Sequence, residues 1–152
     1  MNIFQFVILY FFNKINRMLE IANISVTCFM IGLIWLVQVV HYPTFLRFSD
    51  ENFRSFHSFH TKSITKIVAP MMGIELLLAT VLVWNSNFHW KFFLPLIMII
   101  GIWVSTACLQ IPYHNKLADG FDLATTQKLI RTNWIRTILW TIKGFWLIVL
   151  YF

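Results

Sequence analysis

Four of the five histidines in this 152-residue chain stand at the ends of apolar stretches. His41 closes one stretch and His114 another, while His57 and His60 lie three residues apart just ahead of a third. Neutral imidazole is a common ligand for Fe, Cu and Zn, and residues three apart on a helix share a face, so His57 and His60 can ligate together. All four form a candidate metal set. His41 and His114, on two different segments, can instead hold haem b between them. The bland alternative is a group of interfacial histidines hydrogen-bonded to backbone or lipid. A single His-x-x-His pair, without further histidine boxes, keeps that alternative open.

Glu75 is the second chemical feature, the lone charge of the run from Ile67 to Trp84. A bare carboxylate in hydrocarbon costs about 3 kcal/mol on insertion scales, so it must face other helices and either pair or stay protonated. Lys143 falls at a comparable depth in the last apolar run. Glu75 is thus either a proton acceptor, and a catalytic candidate, or half of a structural ion pair; the presence of both charges favours the pair. The third feature is a basic and aromatic rim of Arg47, Arg54, Arg131 and Arg136 with Tyr42, Tyr113 and Trp134. Arginine forks suit carboxylate or phosphate groups, and aromatic rings can cover a planar molecule. Gln38, Tyr42, Arg54, Gln110 and Tyr113 are accordingly substrate-binding candidates. The same charges can simply hold a membrane edge against anionic lipid. No Walker loop, dinucleotide glycine fingerprint or Ser-His-Asp order is present.

These residues need a scaffold, and composition says which kind. A chain that is 59% hydrophobic and 18% aromatic with 12% charged residues lies far outside the soluble range. Its mean hydropathy is +0.70. The expected fold is all-α, a bundle of four transmembrane helices over about residues 21–40, 67–84, 92–113 and 137–152, making one domain from residue 18 onward. Residues 1–17 are expected as a retained interfacial extension, since the charges follow the apolar run instead of preceding it. Segments two and four are expected to be extended by cytoplasmic helices, with Ser49 and Asp122 as caps. Pro43 is expected to stop the first helix, and Pro70 to kink the second.

In the first segment Asn23, Thr27, Ile34, Gln38 and His41 fall on one helical stripe, which should face the bundle. Trp140, Trp146 and Tyr151 read as interface anchors. Cys28 and Cys108 read as buried small residues at different depths, not as a disulfide. Gly32, Gly73, Gly101 and Gly144 read as helix-packing positions. The net charge of +6 is a membrane signal and not a nucleic-acid one, because the basic residues collect on one side. Eight Lys and Arg fall on the side of the two long connections, against Lys14, Arg17 and Lys91 opposite. That asymmetry predicts cytoplasmic connections and outside termini in a plasma or inner membrane.

The stretch Ile111-Pro112-Tyr113-His114-Asn115-Lys116-Leu117, followed by Asn133-Trp134-Ile135-Arg136-Thr137, resembles the anthrone-oxygenase-like family of small four-helix membrane proteins. That family shows a Pro-x-x-Asn-x-Leu stretch after its third segment and an Asn-x-x-Arg stretch opening its fourth. The resemblance implies a cofactor-independent oxygenase acting on polycyclic phenols. It adds Asn115, Asn133 and Arg136 as site residues, with Asn133 and Arg136 in catalytic roles. The expectation is therefore an oxidoreductase- or oxygenase-like protein acting on an apolar aromatic molecule, with haem b, Fe or no cofactor. Its partners are the lipid bilayer and, as an option, a second copy of the chain. A non-catalytic subunit that binds lipid, haem or a partner protein is the competing class.

Overall fold

A computed structural model describes residues 2–48 and 50–151, without the side chains of Asp50 and Glu51. The described chain is built from helices. Helix α1 (Ile3–Leu36) passes through a π-helical turn (Val37–His41) into a short α2 (Tyr42–Thr44) and a 3-10 turn (Phe45–Arg47). Helix α3 (Asp50–Asn85) returns, α4 (Trp90–Ser105) leads through a second π-helical turn (Thr106–Gln110) into α5 (Ile111–Leu117), and α6 (Leu123–Tyr151) closes the chain. Four of these rods are long and apolar enough to cross a membrane. At ~30 Å of hydrocarbon and ~1.5 Å per residue each has turns to spare. Residues 3–17 are continuous with the first rod, so the expected extension is simply its opening turns.

Helix α1 packs on α3 and α6, and α4 packs on the same two, so α1 and α4 stand diagonally across a square, up-and-down bundle. Parallel direction brings the C-terminal ends of α1 and α4 to one end, with the starts of α3 and α6. Asn23, Thr27, Ile34 and Gln38 are buried, as one stripe should be, while Phe29, Leu36 and Val39 point outward. At α6 the Thr125 N–H donates to Asp122 Oδ1 at 2.7 Å, which caps the helix. Hydrogen bonds from Thr125 hold the Asp122 carboxyl below the ordinary carboxylate range. The Ser49 cap lies outside the described residues.

Pro43 departs from expectation, and Pro112 is accommodated in the same way. Pro43 does not stop the first rod, and Pro112 lies inside the third. Upstream of each, an N–H bonds five residues back, Tyr42 to the Val37 carbonyl and Ile111 to the Thr106 carbonyl. The widened turn takes up the residue whose carbonyl would otherwise meet the proline ring, so helix direction survives. Pro70 lies within the continuous α3, and Pro95 sits a turn inside α4.

Midway along the bundle, Lys143 Nζ meets Glu75 Oε1 at 2.5 Å, with both side chains fully buried. Thr27 donates to Glu75 at 2.9 Å and Trp140 Nε1 to its other oxygen at 2.9 Å. Lys143 also donates to Thr27 and to Asn23 Oδ1. The pair therefore ties α1, α3 and α6 together at one level. Trp140 is not an interface anchor: its ring is fully buried because its N–H serves Glu75. Trp146 bonds the Lys91 carbonyl, and Tyr151 accepts from Asn23.

Two smaller expectations are corrected. Cys28 and Cys108 are free and exposed on the outer faces of their helices, not buried. Gly32 and Gly73 have open space where a Cβ would go and are not close-packing positions. Gly144 is one, since a Cβ there would run into Ile31, and at Gly101 it would touch Leu139 at 3.4 Å.

Breaking the Glu75–Lys143 pair from one side leaves a buried charge without its counter-ion. Glu75→Gln and Lys143→Met should each cost about 3 kcal/mol of stability, and the double change should recover most of that loss. Thermal unfolding in detergent reads the cycle, and additive losses would show that the two groups do not act as a pair.

Candidate functional site

The histidines predicted to share one end do meet there, assembled by the π-helical turn after α1 and by α2, α3 and α5. His57 Nε2 lies 3.0 Å from His114 Nδ1, and His114 Nε2 lies 3.0 Å from the Tyr42 hydroxyl. His60 stacks beside His41 with ring centroids 4.2 Å apart, and it stands 5.8 Å from His114. The π-helical turn in front of Pro43 sets Tyr42 inward, and the one in front of Pro112 does the same for His114. Phe45, fully buried, touches every ring of the group.

Of the four imidazoles in this row, His57 and His114 meet nitrogen to nitrogen and His114 faces Tyr42 with its other nitrogen, while His41 and His60 join by ring contact. Among the described residues, no group of three or more His, Cys, Asp or Glu is set to hold a metal ion. The space a porphyrin would need between His41 and His114 is filled by His60 and Phe45, each packed against both rings. What the row can do as it stands is move protons. A neutral His114 donates from one nitrogen and accepts at the other, so a proton gained on the Tyr42 side can leave on the His57 side. The buried Nε2 atoms of His41 and His60 have no hydrogen-bond partner and lie beside this chain.

Tyr42 and His114 also form the polar end of a cavity of about 290 Å³. This is near the lower end of small-molecule pockets, sized for one or two fused rings. Its inner end is Met30, Ile34 and Met72. Thr65 and Ala69 of α3 and Trp103 and Ile111 across from them line it and are exposed on the outer surface of the bundle. The cavity thus opens sideways, where lipid tails would lie.

Arg136 is the charged side chain in the cavity wall. It is 6% exposed, rests against the Tyr42 hydroxyl and stacks its guanidinium 5.4 Å from the Trp140 ring centroid. Its Nε is buried without a hydrogen-bond partner. Among the described residues the only ion pair is that of Glu75 and Lys143. A cation over a desolvated aromatic face gains about 2 kcal/mol, which falls short of the several kcal/mol that burying the charge costs.

The remaining candidates separate by what they touch. Gln110 and Asn115 line the cavity, Asn115 at its exposed rim. Gln110 is also held by Ser105 and Thr132. Gln38 and Asn133 do not line it: Asn133 donates to Gln38 at 2.8 Å and Gln38 donates to the Ile130 carbonyl, a tie between α1 and α6. Arg54 is exposed beside Gly120, and Tyr113 packs against the core from outside the cavity. Glu75 is outside the wall as well, its oxygens spent on Lys143, Thr27 and Trp140. Sequence reasoning missed Thr61, Thr65 and Met72, although with His57 and Val68 they repeat at helical spacing along one face of α3. No protein-family model, curated protein or solved structure matches the chain.

Removing the Tyr42 hydroxyl isolates one nitrogen of His114. Tyr42→Phe should cost about 1 kcal/mol of stability. It should also shift the imidazole nitrogen resonances of His114 while leaving those of His89, at the far end of the bundle, in place. Unmoved His114 signals would show that the hydroxyl and ring are not hydrogen-bonded.

Proposed function

We propose that this chain is an oxidoreductase-like membrane protein that draws an apolar aromatic molecule sideways out of the bilayer and activates it by removing a proton. The observation that carries the reading is the cavity itself. Its mouth lies on the lipid-facing surface, and its polar end is a hydrogen-bonded Tyr42–His114–His57 chain. A ring hydroxyl placed at that end gives its proton to the chain. The anion left behind is electron-rich and is oxidised by an acceptor such as dioxygen. The resemblance to the anthrone-oxygenase-like family supports the same class, and two of its site residues, Asn115 and Arg136, are in the cavity wall. A non-catalytic subunit binding lipid or a partner is the second reading. It is favoured by the exposed, apolar first turns of α1, with Ile3, Phe4 and Phe6 all outward.

Purified protein supplied with hydroxylated polycyclic aromatics under air should consume oxygen and form an oxidised product. His114→Gln should lower that rate by about 10²-fold or more, the scale of a lost proton-transfer group, whereas His89→Ala should not. Tight binding of such compounds without turnover would favour the non-catalytic reading.

The orientation belongs to the same proposal, with the histidine end in the cytoplasm of a plasma or inner membrane, on the strength of the eight-to-three Lys and Arg asymmetry. Single cysteines at Ser58 and Thr125, in a chain freed of Cys28 and Cys108, should react only with reagents that reach the cytoplasm. One at Ser86 should react only from outside, and the reverse pattern would invert the topology.

A further inference from the structure

We infer that the molecule held in the cavity carries a monoanionic head, a carboxylate or a phenolate, that pairs with Arg136. The inference rests on the cavity being a ligand site open to the bilayer, and not on any reaction there. Arg136 is buried, lies in the cavity wall and has no carboxylate partner among the described residues. Its Nε has no hydrogen-bond partner either. The contrast lies within the same bundle: Lys143, equally buried, has Glu75, Thr27 and Asn23 around it. A fold that satisfies one interior cation so fully leaves the other with only the Trp140 face and the Tyr42 hydroxyl.

The charge count and the shape define the head. Among the described residues no Asp or Glu lines the cavity, and Arg136 is the single Lys or Arg that does, so one negative charge is neutralised and a second is not. A dianionic phosphate therefore fits poorly. A planar guanidinium meets a carboxylate in a two-point fork or a phenolate at one point. The Tyr42 hydroxyl and His114 stand beside it as further hydrogen-bonding groups. The rest of the cavity is lined mostly by apolar side chains such as Met30, Ile34, Val68 and Met72, with Thr61, Thr65 and Thr106 among them, and suits a largely apolar body.

The test compares 2-naphthoate with its neutral counterpart 2-naphthalenemethanol, read by quenching of Trp103 in detergent-solubilised full-length protein. Trp103→Phe identifies that signal. Wild-type protein should bind the carboxylate at least about tenfold more tightly than the alcohol, the scale of a charge-assisted hydrogen bond. Arg136→Met should bind both alike, and Arg136→Lys should keep part of the preference. A third probe, 2-naphthol on either side of its own ionisation, separates the phenolate source from the carboxylate source. Equal wild-type affinity for acid and alcohol would overturn the anionic head while leaving the cavity as a ligand site. Failure of all three probes to bind would overturn both. The wild-type preference needs no variant, so the inference remains testable if Arg136→Met does not fold.

Discussion

A charge in the interior of a four-helix membrane bundle has to be answered by another group, and most of this structure can be read from how that constraint is met. Glu75 and Lys143 answer each other at mid-bundle, and Thr27, Asn23 and Trp140 supply the remaining hydrogen bonds. Three of the four rods are fixed by that one cluster, because its members come from α1, α3 and α6. Lipid offers no hydrophobic gain for helix association, so close contacts and interior hydrogen bonds carry it. Gly144 against Ile31 and the Asn133–Gln38–Ile130 tie make the same α1–α6 seam above and below the ion pair.

Arg136 stands two helical turns from Lys143 on α6 and is treated differently. The protein places it at a cavity, gives it an aromatic face and a hydroxyl, and leaves one nitrogen bare. Interior charges in membrane proteins mark function more often than structure. On α6 two interior charges meet different surroundings. Lys143 is fully hydrogen-bonded, and Arg136 faces a mostly apolar cavity beside Tyr42 and His114.

The histidine group shows how backbone irregularity and chemistry go together. Two π-helical turns, each followed by a proline, turn Tyr42 and His114 into the bundle without ending either rod. A regular helix through those positions would present a different face. The imidazoles meet through one hydrogen bond and several ring contacts, an arrangement whose geometry suits proton transfer.

The sequence by itself determined the solvent, the four crossings, the inward stripe of the first helix and the Asp122 cap, and it favoured the pairing of Glu75 with Lys143 without deciding between that and a catalytic Glu75. Each of these follows from hydropathy, helical periodicity or the cost of a bare charge, which act along the chain or at one depth. It also brought His41, His57, His60 and His114 to one end, since parallel segments share their ends. Only the tertiary structure decided what those residues face. Trp140 was legible as an aromatic near a membrane end, yet its N–H is needed by Glu75 on another helix. Gln38 and Asn133 looked like site residues and are bonded to each other outside the cavity instead, while Thr65 and Met72 gave no chemical signal and line the cavity. Periodicity names the face of a helix, but a pocket exists only where faces of several helices fail to meet, and that depends on their mutual packing.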